Sequence, residues 1–136
     1  MDILKDKTYK CGVSSVLNKD IKSYGKKFLF DDSEETCWNS DSGTPQWILI
    51  TIDEPCTLST ISIEFQGGFA GKDCHLEAGT DSKNMKKIQD FYPNDINTIQ
   101  EFKLDKPIEG SIFKIVFNSS TDLFGRIIIY KLSMYS

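Results

Sequence analysis

One histidine, His75, stands in the whole chain of 136 residues, directly after Cys74. That scarcity narrows any catalytic reading, because general acid–base and nucleophilic catalysis require a nucleophile, a base within hydrogen-bond reach and a group that stabilises charge. Successive side chains of an extended segment point to opposite faces, so Cys74 and His75 cannot pair as a dyad. They read as a buried thiol beside a surface histidine, and the chain reads as no enzyme. Cysteines with C-x-x-C spacing are also missing: Cys11, Cys37, Cys56 and Cys74 lie far apart, which removes the common zinc frameworks. Two disulfides remain arithmetically possible, but free thiols in a reducing compartment are the favoured reading.

Long apolar runs are absent as well. No segment approaches the length that spans a bilayer, and charges interrupt Met1-Asp2-Ile3-Leu4-Lys5-Asp6-Lys7 where a secretory leader needs an apolar stretch. A soluble, intracellular chain is expected. Nor is there a basic stripe along the sequence, since 16 basic residues are scattered among 20 acidic ones for a formal net charge of -4. No nucleic-acid partner is expected, and the acidic balance disfavours anionic membranes.

What the chain does have is strand patterning. Ile61, Ile63 and Phe65 alternate with Thr60, Ser62 and Glu64, and Phe113, Ile115 and Phe117 alternate with Ile112, Lys114 and Val116. Ile48 to Ile52 and Ile127 to Leu132 are nearly continuous β-branched apolar runs, which predicts central strands buried on both faces. Cys74 to Ala78, Lys87 to Phe91 and Ile99 to Leu104 complete the set. Gly79-Thr80-Asp81-Ser82, Pro93-Asn94-Asp95 and Asp105-Lys106-Pro107 supply turns between them. Short strands at this spacing predict an all-β sandwich or barrel. Trp47, Ile63, Phe65, Ile115 and Phe117 are the expected core, and a helical turn is expected near Lys26 to Phe30. The length fits one domain, placed at residues 11–136, with residues 1–10 expected to be loosely ordered.

The most distinctive segment is the acidic loop Phe30-Asp31-Asp32-Ser33-Glu34-Glu35-Thr36-Cys37-Trp38-Asn39-Ser40-Asp41-Ser42-Gly43, which leads into Gln46-Trp47. Asp, Ser and Thr side chains bond back to nearby amides and stiffen such loops, and each tryptophan offers a large apolar anchor. Phe65-Gln66-Gly67-Gly68-Phe69 and Thr121-Asp122-Leu123-Phe124-Gly125-Arg126 each join glycine to an aromatic. An aromatic at such a loop tip either forms a recognition surface or folds back to plug the end of a sandwich. Arg126 is placed to pair with Asp122 or with a partner's carboxylate.

Phe30-Asp31, Thr36, Trp38 and Trp47, followed in order by Phe65-Gln66-Gly67-Gly68-Phe69, Asp90-Phe91-Tyr92-Pro93 and the Thr121-to-Arg126 segment, resemble the discoidin, or coagulation-factor type C, family over almost the whole chain. The resemblance implies a discoidin-like (galactose-binding-like) jelly-roll β-sandwich. Such modules bind rather than catalyse, and the small intracellular members suggest a protein partner: a nuclear receptor, or a multi-subunit complex of the ubiquitin-ligase or ciliary-transport type. Sugar binding is a less favoured alternative, because the family's tryptophan at the position of Trp38 packs inward. The candidate partner-binding residues are Trp38, Asn39, Asp41, Phe69, Lys72, Phe124 and Arg126. Many family members hold a structural Ca²⁺ in the first loop, where Asp31, Ser33 and Thr36 would be ligands. Here Lys131 stands where the family's last strand carries a glutamate. The resemblance therefore implies an ammonium paired with Asp31 in place of the ion, and no cofactor is expected.

Overall fold

A computed structural model describes residues 1–136. Seven antiparallel strands carry the fold: β1 (Tyr9–Val13), β2 (Trp38–Asn39), β3 (Gln46–Phe65), β4 (Cys74–Gly79), β5 (Lys86–Phe91), β6 (Ile99–Phe117) and β7 (Ile128–Tyr135). Two of them, β3 and β6, are long and bent. The first part of β3 pairs with β1 on one side and with the end of β6 on the other, from Gln46↔Phe117 to Thr51↔Ile112. That part of β6 then pairs with β4, and β4 with β5, giving one layer in the order β1-β3-β6-β4-β5. The second part of β3 pairs with the start of β6, from Thr60↔Lys103 to Glu64↔Ile99, and with β7, which pairs with β2. The result is a second layer in the order β6-β3-β7-β2, and together the layers form an all-β sandwich.

The bends sit where the sequence offers turn chemistry. Register shifts fall between Thr51 and Cys56 and between Leu58 and Thr60, so β3 passes from layer to layer through bulges without leaving the ladder. Asp105-Lys106-Pro107, expected as a turn, lies inside β6 at the matching crossing. Proline is tolerated there because a bulged corner leaves its missing N–H unneeded.

Alternation decides what enters the core. Ile48, Ile50 and Ile52 are buried while Leu49 and Thr51 are half-buried, so this run faces the core on one side only and is not enclosed on both as its composition predicts. Phe113, Ile115 and Phe117 oppose Ile61, Ile63 and Phe65 within a cluster of 22 buried residues. Phe117 packs edge-on to Phe65 at 5.9 Å between ring centroids and lies 6.4 Å from Trp38.

The first ten residues are part of this structure rather than a loose tail. A short helix, α1 (Ile3–Asp6), buries Ile3 completely, Asp2 bridges to Tyr135, and Ser136 N–H donates to the Met1 carbonyl at 3.1 Å. Apolar Ile3 and Leu4 outweigh the charges around them once β7 offers a surface to cover. After β1 come a second short helix, α2 (Ile21–Tyr24), and a 3₁₀ turn at Lys26–Leu29, the last where a helical turn is expected. No helix is long and apolar enough to cross a membrane.

Candidate functional site

The loop between β6 and β7 is built to hold two apolar side chains in water. Leu123 is 91% exposed and Phe124 65% exposed. Burying such groups would stabilise the fold, so their exposure needs a backbone that prevents it. Ser120 Oγ donates to the Arg126 carbonyl at 2.7 Å and accepts from Asp122 N–H at 3.0 Å. Asp122 Oδ2 accepts from Arg126 N–H at 3.0 Å and from Arg126 Nε at 3.4 Å, and Gly125 N–H closes the turn on the Asp122 carbonyl at 3.1 Å. Gly43 N–H then donates to the Phe124 carbonyl at 2.7 Å. Gly125 has φ +84°, and a Cβ placed there would meet the Gly43 carbonyl carbon at 2.9 Å, so glycine is required for this approach. Gly43, Thr44, Ser119 and Asp122 help line a shallow groove of ≈ 240 Å³ beside Phe124.

Two neighbouring loops are tied to this one. Asp95 Oδ1 accepts from Gly68 N–H at 2.7 Å and from Thr121 Oγ at 3.2 Å, and Asn97 Oδ1 accepts from Gly67 N–H at 2.6 Å. Phe69 does not project like Phe124: it is half-buried beneath the Arg126 guanidinium, 4.8 Å from the ring centroid. Arg126, with Asp122 on one side and Phe69 on the other, is occupied within the protein. Of the candidate binding residues on these loops, Phe124 and Lys72 are exposed, while Phe69 and Arg126 are half-buried and stacked on each other. Leu123 was not singled out by sequence, although its place between Asp122 and Phe124 at a tight turn is a usable signal.

In the tryptophan segment the inward packing implied by the resemblance prevails over the candidate binding role. Trp38 is fully buried, its Nε1–H donating to the Ser15 carbonyl at 2.9 Å, and Asn39 is 7% exposed. Both side chains are enclosed. Asp41 is half-buried, its carboxylate accepting from Ser42 N–H at 3.1 Å and its own N–H donating to Ser15 Oγ at 2.9 Å. Gln46 fastens the loop, donating to the Asp41 and Gly43 carbonyls at 3.1 and 2.7 Å while accepting from Ser14 and Ser15. Trp47, expected in the core, is half-buried on the outer face of its layer, with the Lys114 ammonium 5.1 Å from its ring centroid. Its position is out of phase with Ile48, Ile50 and Ile52, so strand alternation turns it outward.

The acidic loop closes on itself. Asp31 Oδ1 accepts from Ser33 N–H at 3.1 Å and Oδ2 from Thr36 Oγ at 2.5 Å, while Ser33 Oγ accepts from Glu35 N–H at 3.2 Å. Lys131 reaches this loop but pairs with Asp32, at 2.8 Å from Oδ1, and not with Asp31. Asp31 turns both oxygens into its own loop, and Asp32, with φ +56°, takes the ammonium instead. The hydrogen bond from Lys131 lowers the Asp32 carboxyl below its ordinary range, and the same bond raises Lys131. A bound ammonium and a carboxylate committed to its own loop do not fit a calcium ion.

His75 lies between Glu77, at 2.7 Å from Nε2, and Asn118, at 2.8 Å from Nδ1, on the outer face of β4. Cys74 points the other way and is buried. Burial raises the Cys74 thiol and pushes Cys11 up to about 12, and it raises Cys37 and Cys56 as well, so none of the four free thiols is poised as a thiolate.

Residues 13–129 match the model of the F5/8 type C domain. The chain belongs to that family. Among its relatives, the nuclear receptor 2C2-associated protein of Danio rerio is 50% identical over 90% of this chain and 86% of its own length. The human protein of the same name is 44% identical over 88% and 86%. Among solved structures, an F5/8 type C domain from Bacteroides fragilis superposes with a TM-score of 0.85 at 15% identity, covering 99% of this chain and 95% of that one. A Clostridium perfringens CBM32 module in complex with GalNAc-β-1,3-galactose gives 0.79 at 17%, covering 94% and 95%. These likenesses in structure establish the F5/8 type C fold.

Proposed function

We propose that the chain is a non-enzymatic protein-interaction module of the nucleus and cytoplasm, an adaptor that associates with a nuclear receptor. The observation that carries this reading is the Leu123–Phe124 pair, held out in water on a turn closed by Asp122, Ser120 and Gly43. An apolar pair fixed in advance loses little conformational freedom when a partner covers it, so its burial contributes directly to affinity. The name of the relatives supplies the partner. The internally bonded His75 and the raised thiols support a binding role over a catalytic one. Co-precipitation with nuclear receptor 2C2 is the test. The unmodified chain should retain the receptor and the doubly substituted Leu123→Asp, Phe124→Asp chain should lose it with an unchanged melting temperature. Retention of the receptor by the double variant, or no association by either chain, would defeat the reading.

The groove beside Phe124 favours a second reading, a carbohydrate module, because Thr44 and Asp122 line it together with an exposed ring. A glycan array separates the two: binding of a defined sugar that Phe124→Ala abolishes would replace the adaptor.

A further inference from the structure

The segment that carries β1, with its free edge, and the helical turns after it is rich in lysine. Between residues 7 and 30 there are six lysines and one aspartate, a net charge of +5 in a chain whose total is -4. Lys10, Lys19, Lys22, Lys26 and Lys27 are exposed and none forms an ion pair, while Asp20 is taken up in capping α2 through Ser23 N–H at 3.2 Å. Two of them, Lys19 and Lys26, stand at the rim of a groove of ≈ 420 Å³ whose walls are Val13, Val16 and Ile21, and Ile21 is 66% exposed.

The backbone beside this groove is also unpaired. Thr8 accepts from Asp53 N–H and Ser14 donates to the Trp47 carbonyl, each at 3.0 Å. With the register Lys10↔Thr51 and Gly12↔Leu49, the even-numbered residues are therefore those that face β3. Tyr9, Cys11 and Val13 turn their N–H and C=O groups the other way, where no strand pairs with them. An open ladder, an apolar wall and uncompensated ammonium groups occur together at one place.

We infer that the Val13 end of the β1 edge is a docking site for an extended, acidic segment of a protein partner. The segment would add to the ladder, placing apolar side chains against Val13, Val16 and Ile21 and carboxylates at Lys19 and Lys26. Charge complementarity selects this occupant: the rest of the chain is acidic, and Lys19 and Lys26 at the groove, within a segment of net charge +5, favour approach by a negative partner. An anionic membrane suits it less well, since Ile21 alone projects and the walls of a groove do not insert. The inference rests on the interaction-module reading but concerns a different surface from the Leu123–Phe124 loop.

The test pans a phage library of random dodecapeptides on the whole chain and maps the selected peptides by amide chemical shifts. Enriched peptides should be acidic with alternating apolar residues, shift the amides of Tyr9 to Lys26, and lose about tenfold or more in affinity for a Lys19→Glu, Ile21→Asp, Lys26→Glu variant. These side chains are exposed, so the variant should keep the melting temperature of the unmodified chain, and a less disruptive Lys19→Gln, Lys26→Gln variant should show an intermediate loss. No acidic enrichment, shifts confined to residues 118–126, or binding only to phosphatidylserine vesicles would overturn the inference. Peptides bound at the groove without receptor association would remove the adaptor and keep the groove. Receptor association without peptide enrichment would do the reverse.

Discussion

The acidic loop at residues 31–36 and the loop at 119–126 use the same chemistry to opposite ends. In each, an aspartate and a serine accept backbone N–H groups and a basic side chain pairs with an aspartate. In the first, the bonds tie Asp31 to Ser33 and Thr36 and Asp32 to Lys131, and no apolar side chain is left projecting. In the second they fix the backbone so that Leu123 and Phe124 cannot fold inward. Polar self-bonding is therefore neutral about function, and what distinguishes a closed loop from a displaying one is the residues left outside the bonds.

The comparison breaks most severely if the frame shared by the display loop is removed. Phe117 ends β6 immediately before the loop and packs on Phe65 and Trp38, so Phe117→Ala should cost about 3–5 kcal/mol in chemical denaturation. A loss well below that range would mean the aromatic cluster is not what anchors the loop. Gly125→Ala comes next. It forces a Cβ against Gly43 at a left-handed φ, and about 1–3 kcal/mol of destabilisation together with weakened partner binding is expected, read by the melting temperature and by co-precipitation.

Asp122→Ala sharpens the contrast further. It removes the acceptor for Arg126 N–H and Nε at a side chain only 12% exposed, so about 1–2 kcal/mol should be lost, and the amides of residues 120–126 should exchange faster with solvent. Asp31→Ala, whose bonds lie in water, should cost less.

The smallest effect belongs to Lys131→Gln, because exposed ion pairs contribute little. Its sign with pH is nonetheless defined. Asp32 is lowered in the folded chain, so its share of stability is present above the ordinary carboxylate value of 3.8 and fades as pH falls through the depressed one. Lys131 is raised, so its share is present below 10.5 and fades as pH rises through the elevated value. The difference in melting temperature between Lys131→Gln and the unmodified chain should be flat near neutrality and vanish in acid. Millimolar Ca²⁺ should leave the unmodified chain's melting temperature in place, and a clear rise would contradict the reading of Lys131 as the loop's cation.

Strand content was legible wherever alternation is strict, as at Ile61 to Phe65 and Phe113 to Phe117, because period two is a local property. The continuity of β3 and β6 was not, since a bulged crossing and a turn use the same residues, as Asp105-Lys106-Pro107 illustrates. Trp38 packs inward, as the resemblance implies, while Trp47, expected in the core, turns outward. Size argued for burial of both, while strand phase, which governs Trp47, argued outward. At the candidate site, sequence located the Thr121-to-Arg126 loop but could not sort Phe124 from Phe69. That choice depends on Arg126 covering one ring, a contact between loops distant in sequence. The lysine-rich segment at residues 7–30 can be counted in the sequence, but the groove that Lys19 and Lys26 flank forms only when β1 and the helical turns fold together.

The two long strands that cross between layers bear on how the protein comes apart. Neither sheet is complete without β3 and β6, so there is no half-molecule in which one sheet persists while the other melts. Hydrogen exchange in the Phe113–Phe117 segment and in the Ile61–Phe65 segment should report a single opening event. The display loop, fastened to both layers, then keeps its shape for as long as the domain remains folded and loses it only in that global event.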